Sequence, residues 1–112
     1  RQGIFDATNN DTVGSIELYV HSDTGHLGLG LNSSSGSGRT LKWDWGPTID
    51  RWYHIFVRWD GNFANDPVAE IDDVALGTPS TDTGVSSGTT LKQAKKLIVG
   101  DLSTSGPLCE QQ

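Results

Sequence analysis

A pair of tryptophans around a carboxylate is the most chemically suggestive feature of this 112-residue sequence. Trp43 and Trp45 flank Asp44 and stand just before Gly46-Pro47, a dipeptide that interrupts strands. An indole face can stack on the C–H face of a sugar while a neighbouring carboxylate accepts its hydroxyl groups. We therefore take Trp43, Asp44 and Trp45 as the candidate ligand-binding residues, and core packing of the two rings remains the open alternative.

Histidine and cysteine offer little further chemistry. His21 and His26 are expected to face each other across a hairpin, but two histidines without a positioned carboxylate make a poor zinc site. The single cysteine, Cys109, is either a free thiol or half of a disulfide whose partner lies outside this sequence. Neither a nucleophile elbow nor a phosphate-binding loop occurs. We therefore predict that the protein is not an enzyme.

Alternation of apolar and polar residues predicts the strands that carry these groups. Ser15–His21 and His26–Asn32 each have an apolar residue at every second position, and Ser22–Gly25 is a turn cluster, so the three form a hairpin. Gly28 and Gly30 weaken a strand unless something packs closely over them. They indicate either a neighbouring part of the chain that crosses this face or a smooth floor for a ligand.

The strongest predicted strand is Arg51–Asp60. Both of its faces are largely apolar, which predicts a strand buried between two layers, with Trp52 and Trp59 in the core. Thr40–Trp45 is a further predicted strand, with Trp43 and Trp45 on one side.

Turn chemistry predicts the rest of the chain. Pro67–Gly77 forms a second hairpin around Asp72-Asp73, residues 78–90 form a loop, and Lys96–Gly100 is a last short strand. Helix signals are nearly absent. Short strands at this spacing, joined by Gly, Ser and Asp turns, indicate an all-β sandwich or barrel.

Four segments in order resemble the laminin-G-like and concanavalin A-like superfamily. Ile49–Gly61 is similar to its central strand, in which a Trp-Tyr-His segment ends in Asp-Gly. Gly14–Asn32 resembles the hairpin before that strand, Ala69–Leu76 the hairpin after it, and Leu97–Gly100 the strand that follows. Asp73 stands where the superfamily usually has glycine.

The resemblance covers about residues 3–100 and implies one antiparallel jelly-roll sandwich over 1–112, with residues 101–112 as a loosely ordered tail. The superfamily has more strands than this chain supplies, and its first and last strands, which often pair with each other, are not evident here. We therefore expect a reduced or incomplete sandwich. An open sheet edge would then need a neighbouring chain or a second copy as its partner.

The superfamily also implies two kinds of chemistry. Its laminin-G-like members often bind Ca²⁺ at one rim. The resemblance implies that Asp60, Asp72 and Asp73 are candidate Ca²⁺ ligands here, in a site assembled from separate loops. Its β-glucanases place carboxylates two positions apart on one strand, which Glu70 and Asp72 match, but the third carboxylate of that pattern is missing. An ordinary turn at Asp72-Asp73 is the alternative for both.

Composition narrows the function. A net charge of −6 argues against nucleic acid, and no apolar run is long enough to cross a membrane. The absence of Met and the start at Arg1 predict an excised or processed chain, and Asn10 and Asn32 begin glycosylation acceptor patterns. We expect a non-catalytic carbohydrate-binding or adhesion module of a larger extracellular protein. The alternatives are a structural module of an extracellular or virion assembly, and a fragment of a glucanase-like hydrolase.

Overall fold

A computed structural model describes residues 2–8, 14–21, 25–33, 38–48, 50–84 and 96–99. All regular elements in these ranges are strands, which confirms the all-β prediction. The described residues contain no helix that is long and apolar enough to cross a membrane. Cys109, Asn10 and the tail predicted at residues 101–112 lie outside these ranges.

Six strands form the larger sheet: β1 (Gln2–Thr8), β2 (Gly14–His21), β3 (His26–Asn32), β4 (Gly38–Asp44), β8 (Thr81–Gly84) and β9 (Lys96–Val99). Their order is β8-β4-β3-β2-β1-β9, and all neighbours are antiparallel. The predicted hairpin is confirmed, because β2 and β3 pair in register up to His21 opposite His26.

Three strands form the smaller sheet: β5 (Ile55–Arg58), β6 (Val68–Ile71) and β7 (Val74–Ala75), in the order β5-β6-β7. The hairpin predicted around Asp72-Asp73 is confirmed by the pairing of Ile71 with Val74. Both turn residues have positive φ, 50° and 65°, as a two-residue hairpin loop requires for its twist to match that of the strands.

The core lies between the inner faces of the two sheets. The larger sheet contributes the alternate leucines of β3 together with residues of β2 and β4, and the smaller sheet contributes β6 and the β5–β6 connection. The buried members are Val20, Leu27, Leu29, Leu31, Leu41, Trp43, Phe63, Ala69 and Ile71. Face-to-face packing of two antiparallel sheets through alternate residues defines a sandwich-like architecture.

The position of β5 corrects one prediction. It is an edge strand of the smaller sheet, and only its inner face, with Ile55 and Val57, packs against the core. Its outer face is exposed: Phe56 is 45% exposed and Trp52, just before the strand, is 97% exposed. The expectation of a strand buried on both faces is therefore wrong, because no further layer covers this side of the smaller sheet within the described residues.

The larger sheet contains two strands that the sequence did not predict, β1 and β8. β1 pairs with β9 through Phe5 opposite Val99, so the first and last described strands are neighbours. β8 pairs with β4 inside the segment predicted as a loop, with Asp82 opposite Leu41.

A buried arginine joins the two sheets. Arg39 of β4 is 3% exposed, and all five of its N–H groups donate hydrogen bonds. Two go to the Asp82 carboxylate, one goes to Asp66, and two go to the carbonyl oxygens of Phe63 and Asn65. The side chain therefore connects β4 to its neighbour β8 and ties the β5–β6 connection to the larger sheet.

The glycines of β3 have a packing explanation. A Cβ atom at Gly28 would overlap the ring of Tyr19, which lies opposite on β2, whereas one at Gly30 would only touch Glu17 at 3.5 Å. Gly28 therefore makes room for the Tyr19 ring, and this position is not an open floor for a ligand.

Candidate functional site

The structure separates the predicted ligand-binding residues Trp43, Asp44 and Trp45. Trp43 is 1% exposed and its Nε1 donates to the carbonyl oxygen of Gly77 at 3.1 Å. It faces inward with the other alternate residues of β4, so the core interpretation is the correct one and its ring offers no platform. Trp45 is partly buried against the core. Asp44 is exposed, and its Oδ1 accepts a hydrogen bond from Ser80 Oγ at 2.8 Å.

Trp52 is the tryptophan that faces solvent. Its predicted burial is wrong because it shares the outer side of β5 with His54, Phe56 and Arg58, all of them exposed. It borders a shallow surface depression formed with Asp50 and Arg51. Tryptophan is highly buried on average, so an almost fully exposed indole beside a depression makes this the candidate binding site.

The residues on either side of Trp52 are held firmly. The Tyr53 ring packs edge-on against Trp45 at 5.1 Å between ring centroids, and its hydroxyl accepts a hydrogen bond from the Thr48 N–H at 2.8 Å. Hydrogen bonds from Thr48, from its side chain first and then from its backbone, hold the pKa of Tyr53 below its ordinary value. The Arg51 guanidinium lies over the same ring, 4.7 Å from its centroid.

Asp72 completes this arrangement from the β6–β7 turn. Its Oδ1 accepts the His54 N–H at 2.8 Å, and its Oδ2 accepts Arg51 Nη2 at 2.8 Å. The His54 N–H first, and then Arg51, hold the pKa of Asp72 below its usual range. The side chains of Arg51 and Tyr53 and the backbone N–H of His54 are thus held beside Trp52, whose own side chain stays in solvent.

The two carboxylates that match part of the β-glucanase pattern lie on the β6–β7 hairpin. Glu70 lies opposite Phe56 on the ladder, whereas Asp72 has left the strand and adopts a positive φ. The depressed pKa of Asp72 is opposite in direction to that of a general acid. No sugar-cleaving pair is evident between these two residues.

The residues predicted to bind Ca²⁺ are not brought together. Asp72 and Asp73 adjoin the start of β5, whereas Asp60 follows its end and accepts hydrogen bonds from Asn62 and Asn65. In the described ranges, no group of three or more His, Cys, Asp or Glu side chains is arranged to hold a metal ion.

The histidines form no such group either. His21 and His26 are paired as predicted, and His26 Nε2 lies 3.3 Å from Asp44 Oδ1. His54 Nδ1 lies 3.7 Å from Asp73 Oδ1, at the other exposed turn.

Two parts of this arrangement were missed from the sequence. The exposure of Trp52 had a weak signal, its common face with the polar residues His54 and Arg58. The clamp around Tyr53 had none, because it joins residues of separate segments.

Comparison with family models, curated proteins and solved structures found no match to this chain. The similarity to laminin-G-like and concanavalin A-like domains therefore stays a prediction.

Proposed function

We propose that this protein is a non-catalytic carbohydrate-binding module in which Trp52 is the stacking residue. The observation that carries this proposal is a 97% exposed indole between two residues, Arg51 and Tyr53, whose side chains are held by Asp72 and Thr48. An indole has only two side-chain torsions, so it loses little conformational freedom when it stacks on a sugar face.

The polar groups beside the ring suit sugar hydroxyls. Asp50 and Arg51 line the same depression, so a carboxylate acceptor and guanidinium donors stand next to the stacking surface. Arg51 gives one Nη2 hydrogen bond to Asp72 and keeps other N–H groups for a ligand. A neutral ring with several hydroxyls is the ligand that uses all three residues.

The finer assignments belong to the same proposal. We infer a jelly-roll sandwich of the laminin-G-like kind in an extracellular protein, and two features support it: the two packed antiparallel sheets and the pairing of β1 with β9. The structural-module alternative draws its support from the edge of β5 that has no partner among the described strands. The hydrolase alternative would gain support if the chain cleaved a β-glucan and Glu70→Gln abolished that cleavage.

A glycan array followed by calorimetric titration of any bound glycan tests the proposal. We expect Trp52→Ala to weaken binding by about tenfold or more, as for a central aromatic anchor, and Trp52→Tyr to retain part of it. Val74→Ala is the matched control, because Val74 is also exposed but does not line the depression.

Stability controls make the result interpretable. Trp52→Ala should change the free energy of unfolding by less than about 0.5 kcal/mol because the side chain contacts little. Trp43→Ala should lose about 3–5 kcal/mol because Trp43 is buried. Absence of binding to every glycan, or equal binding by wild type and Trp52→Ala, would refute the proposed function.

A further inference from the structure

One edge of the smaller sheet has no partner among the described strands. β5 pairs with β6 on one side only. The Asp72 N–H donates to the His54 carbonyl, so the residues in phase with His54 direct their backbone groups towards β6. The backbone N–H and C=O groups of Ile55 and Val57, which are out of phase, therefore point away from the sheet. Such an edge is a template for one more strand.

An apolar groove of about 400 Å³ runs beside this edge. Residues of β2 and β3 line the groove together with β5, and the larger sheet continues beyond β2 with β1 and β9, so its inner face extends past β5. The groove is lined by aliphatic residues of β2, β3 and β5 and by one tryptophan: Ile16, Leu18, Leu29, Leu31, Val57 and Trp59. Alternate aliphatic side chains of an added strand would fill it.

Arg58 lies on the outer face of the same edge. Among the described arginines, Arg39 and Arg51 are ion-paired with carboxylates, whereas Arg58 has no ion-pair partner. Arg58 is exposed and lies on the β6 ladder opposite Val68, which is apolar. On the free side it would lie opposite a residue of the added strand.

We propose that an extended segment of another polypeptide chain adds to β5 as a fourth strand. Its alternate aliphatic residues enter the groove, and an Asp or Glu on its other face pairs with Arg58. Backbone hydrogen bonds supply affinity in this mode of recognition, and side chains at alternate positions supply specificity. This inference goes beyond the proposed carbohydrate binding, because it uses a different surface and a different class of ligand.

A second copy of this chain fits the edge less well. Its β5 would bring another Arg58 instead of a carboxylate, and its β7 has only two residues. Its β8 already uses Asp82 to bind Arg39, and its β9 has no acidic residue. A foreign strand with a free carboxylate therefore suits this edge better than any described edge strand of the chain itself.

The probe is a labelled synthetic peptide, acetyl-Thr-Val-Thr-Ile-Glu-Val-Thr-amide, titrated with the full chain and followed by fluorescence anisotropy. Two control peptides have Lys in place of Glu, or the same residues without alternation. We expect the Glu peptide to bind at least about tenfold more tightly than either control. Arg58→Glu should reverse the preference between the Glu and Lys peptides.

A blocked groove gives the second readout. Val57→Lys places a charge in the groove and should abolish peptide binding, whereas Val74→Lys, on exposed β7, should not. Circular dichroism identifies an unfolded variant, and the Arg58→Glu exchange tests the proposal without altering the groove.

Three results would overturn the proposal. Equal binding of the Glu and Lys peptides would remove the role of Arg58. A dimer of the chain alone that Val57→Lys dissociates would assign the edge to a second copy. Peptide binding that appears only after deletion of residues 101–112 would assign the groove to this chain's own C-terminal segment.

Discussion

Arg39 and Asp82 form an ion pair with two parallel hydrogen bonds: Nε donates to Oδ1 at 2.8 Å and Nη2 donates to Oδ2 at 2.6 Å. The pair joins neighbouring strands β4 and β8 at the edge of the larger sheet. Because Arg39 also binds Asp66 and two carbonyl oxygens of the β5–β6 connection, its removal would leave several acceptors without a donor.

We therefore expect Arg39→Met to lower the free energy of unfolding by about 3 kcal/mol, since removing one partner of a buried pair leaves uncompensated charge. The free energy of unfolding of Arg39→Lys should lie between those of the wild type and Arg39→Met, because an ammonium group has three donors instead of five. Urea denaturation measures both variants. A loss below about 1 kcal/mol for Arg39→Met would show that these contacts are not structural.

Acid should weaken the same connection. The hydrogen bonds from Arg39 hold the pKa of Asp82 below its ordinary value of 3.8, so folding favours the ionised carboxylate. The resulting stabilisation is complete above the unfolded pKa and is lost as the pH falls through the lower folded pKa. Urea midpoints from about pH 6 to about pH 2 should show this decline, and Asp82→Asn should make it shallower.

Asp73→Asn is the matched control for the acid experiment, because Asp73 is an exposed carboxylate that does not contact Arg39. An Asp82→Asn profile that kept the full slope of the wild type would contradict the assignment.

The two glycines of β3 should respond differently to alanine. Gly28→Ala places a Cβ where the Tyr19 ring lies, and we expect a loss of about 1–3 kcal/mol from this overpacking. Gly30→Ala meets Glu17 only at ordinary contact distance, so its effect should be small or slightly stabilising. Thermal denaturation of the pair compares them directly, and equal losses would disprove the explanation from the Tyr19 ring.

Replacement by glycine should have opposite effects on stability at the turn residues Asp72 and Asp73. Asp73→Gly relieves a positive φ and loses only an exposed contact with His54, so it should stabilise the protein by roughly 0.5 kcal/mol. Asp72→Gly also relieves a positive φ but loses the hydrogen bonds to His54 and Arg51, and it should destabilise by about 1 kcal/mol. A shift of the same sign in both melting temperatures would show that the hydrogen bonds of Asp72 to His54 and Arg51 do not stabilise the turn.

The hairpins could be predicted from the sequence because their signals are local. Strict alternation defines the β2–β3 pair, and adjacent Asp residues define the turn at 72–73. β5 is the opposite case: apolar residues occupy both of its faces, so periodicity cannot tell which face another layer covers. The error on Trp52 follows from that ambiguity.

Other features depend on partners that are distant in sequence. β8, Thr-Asp-Thr-Gly, has no apolar residue and is a strand only because β4 offers it a ladder. Arg39 did have a signal, since it is in phase with the inward Leu41 and Trp43 and would need partners on that face. Asp66 and Asp82 provide them, but they belong to different segments.

The β1–β9 ladder also bears on how the chain folds. Phe5 and Val99 pair although they are far apart in the sequence, whereas β2, β3 and β4 pair with strands that are adjacent in the sequence. Closing so long a segment is entropically expensive, so the local meander should form first and β9 should join last. Substitutions on β9 would then accelerate unfolding and leave the folding rate nearly unchanged.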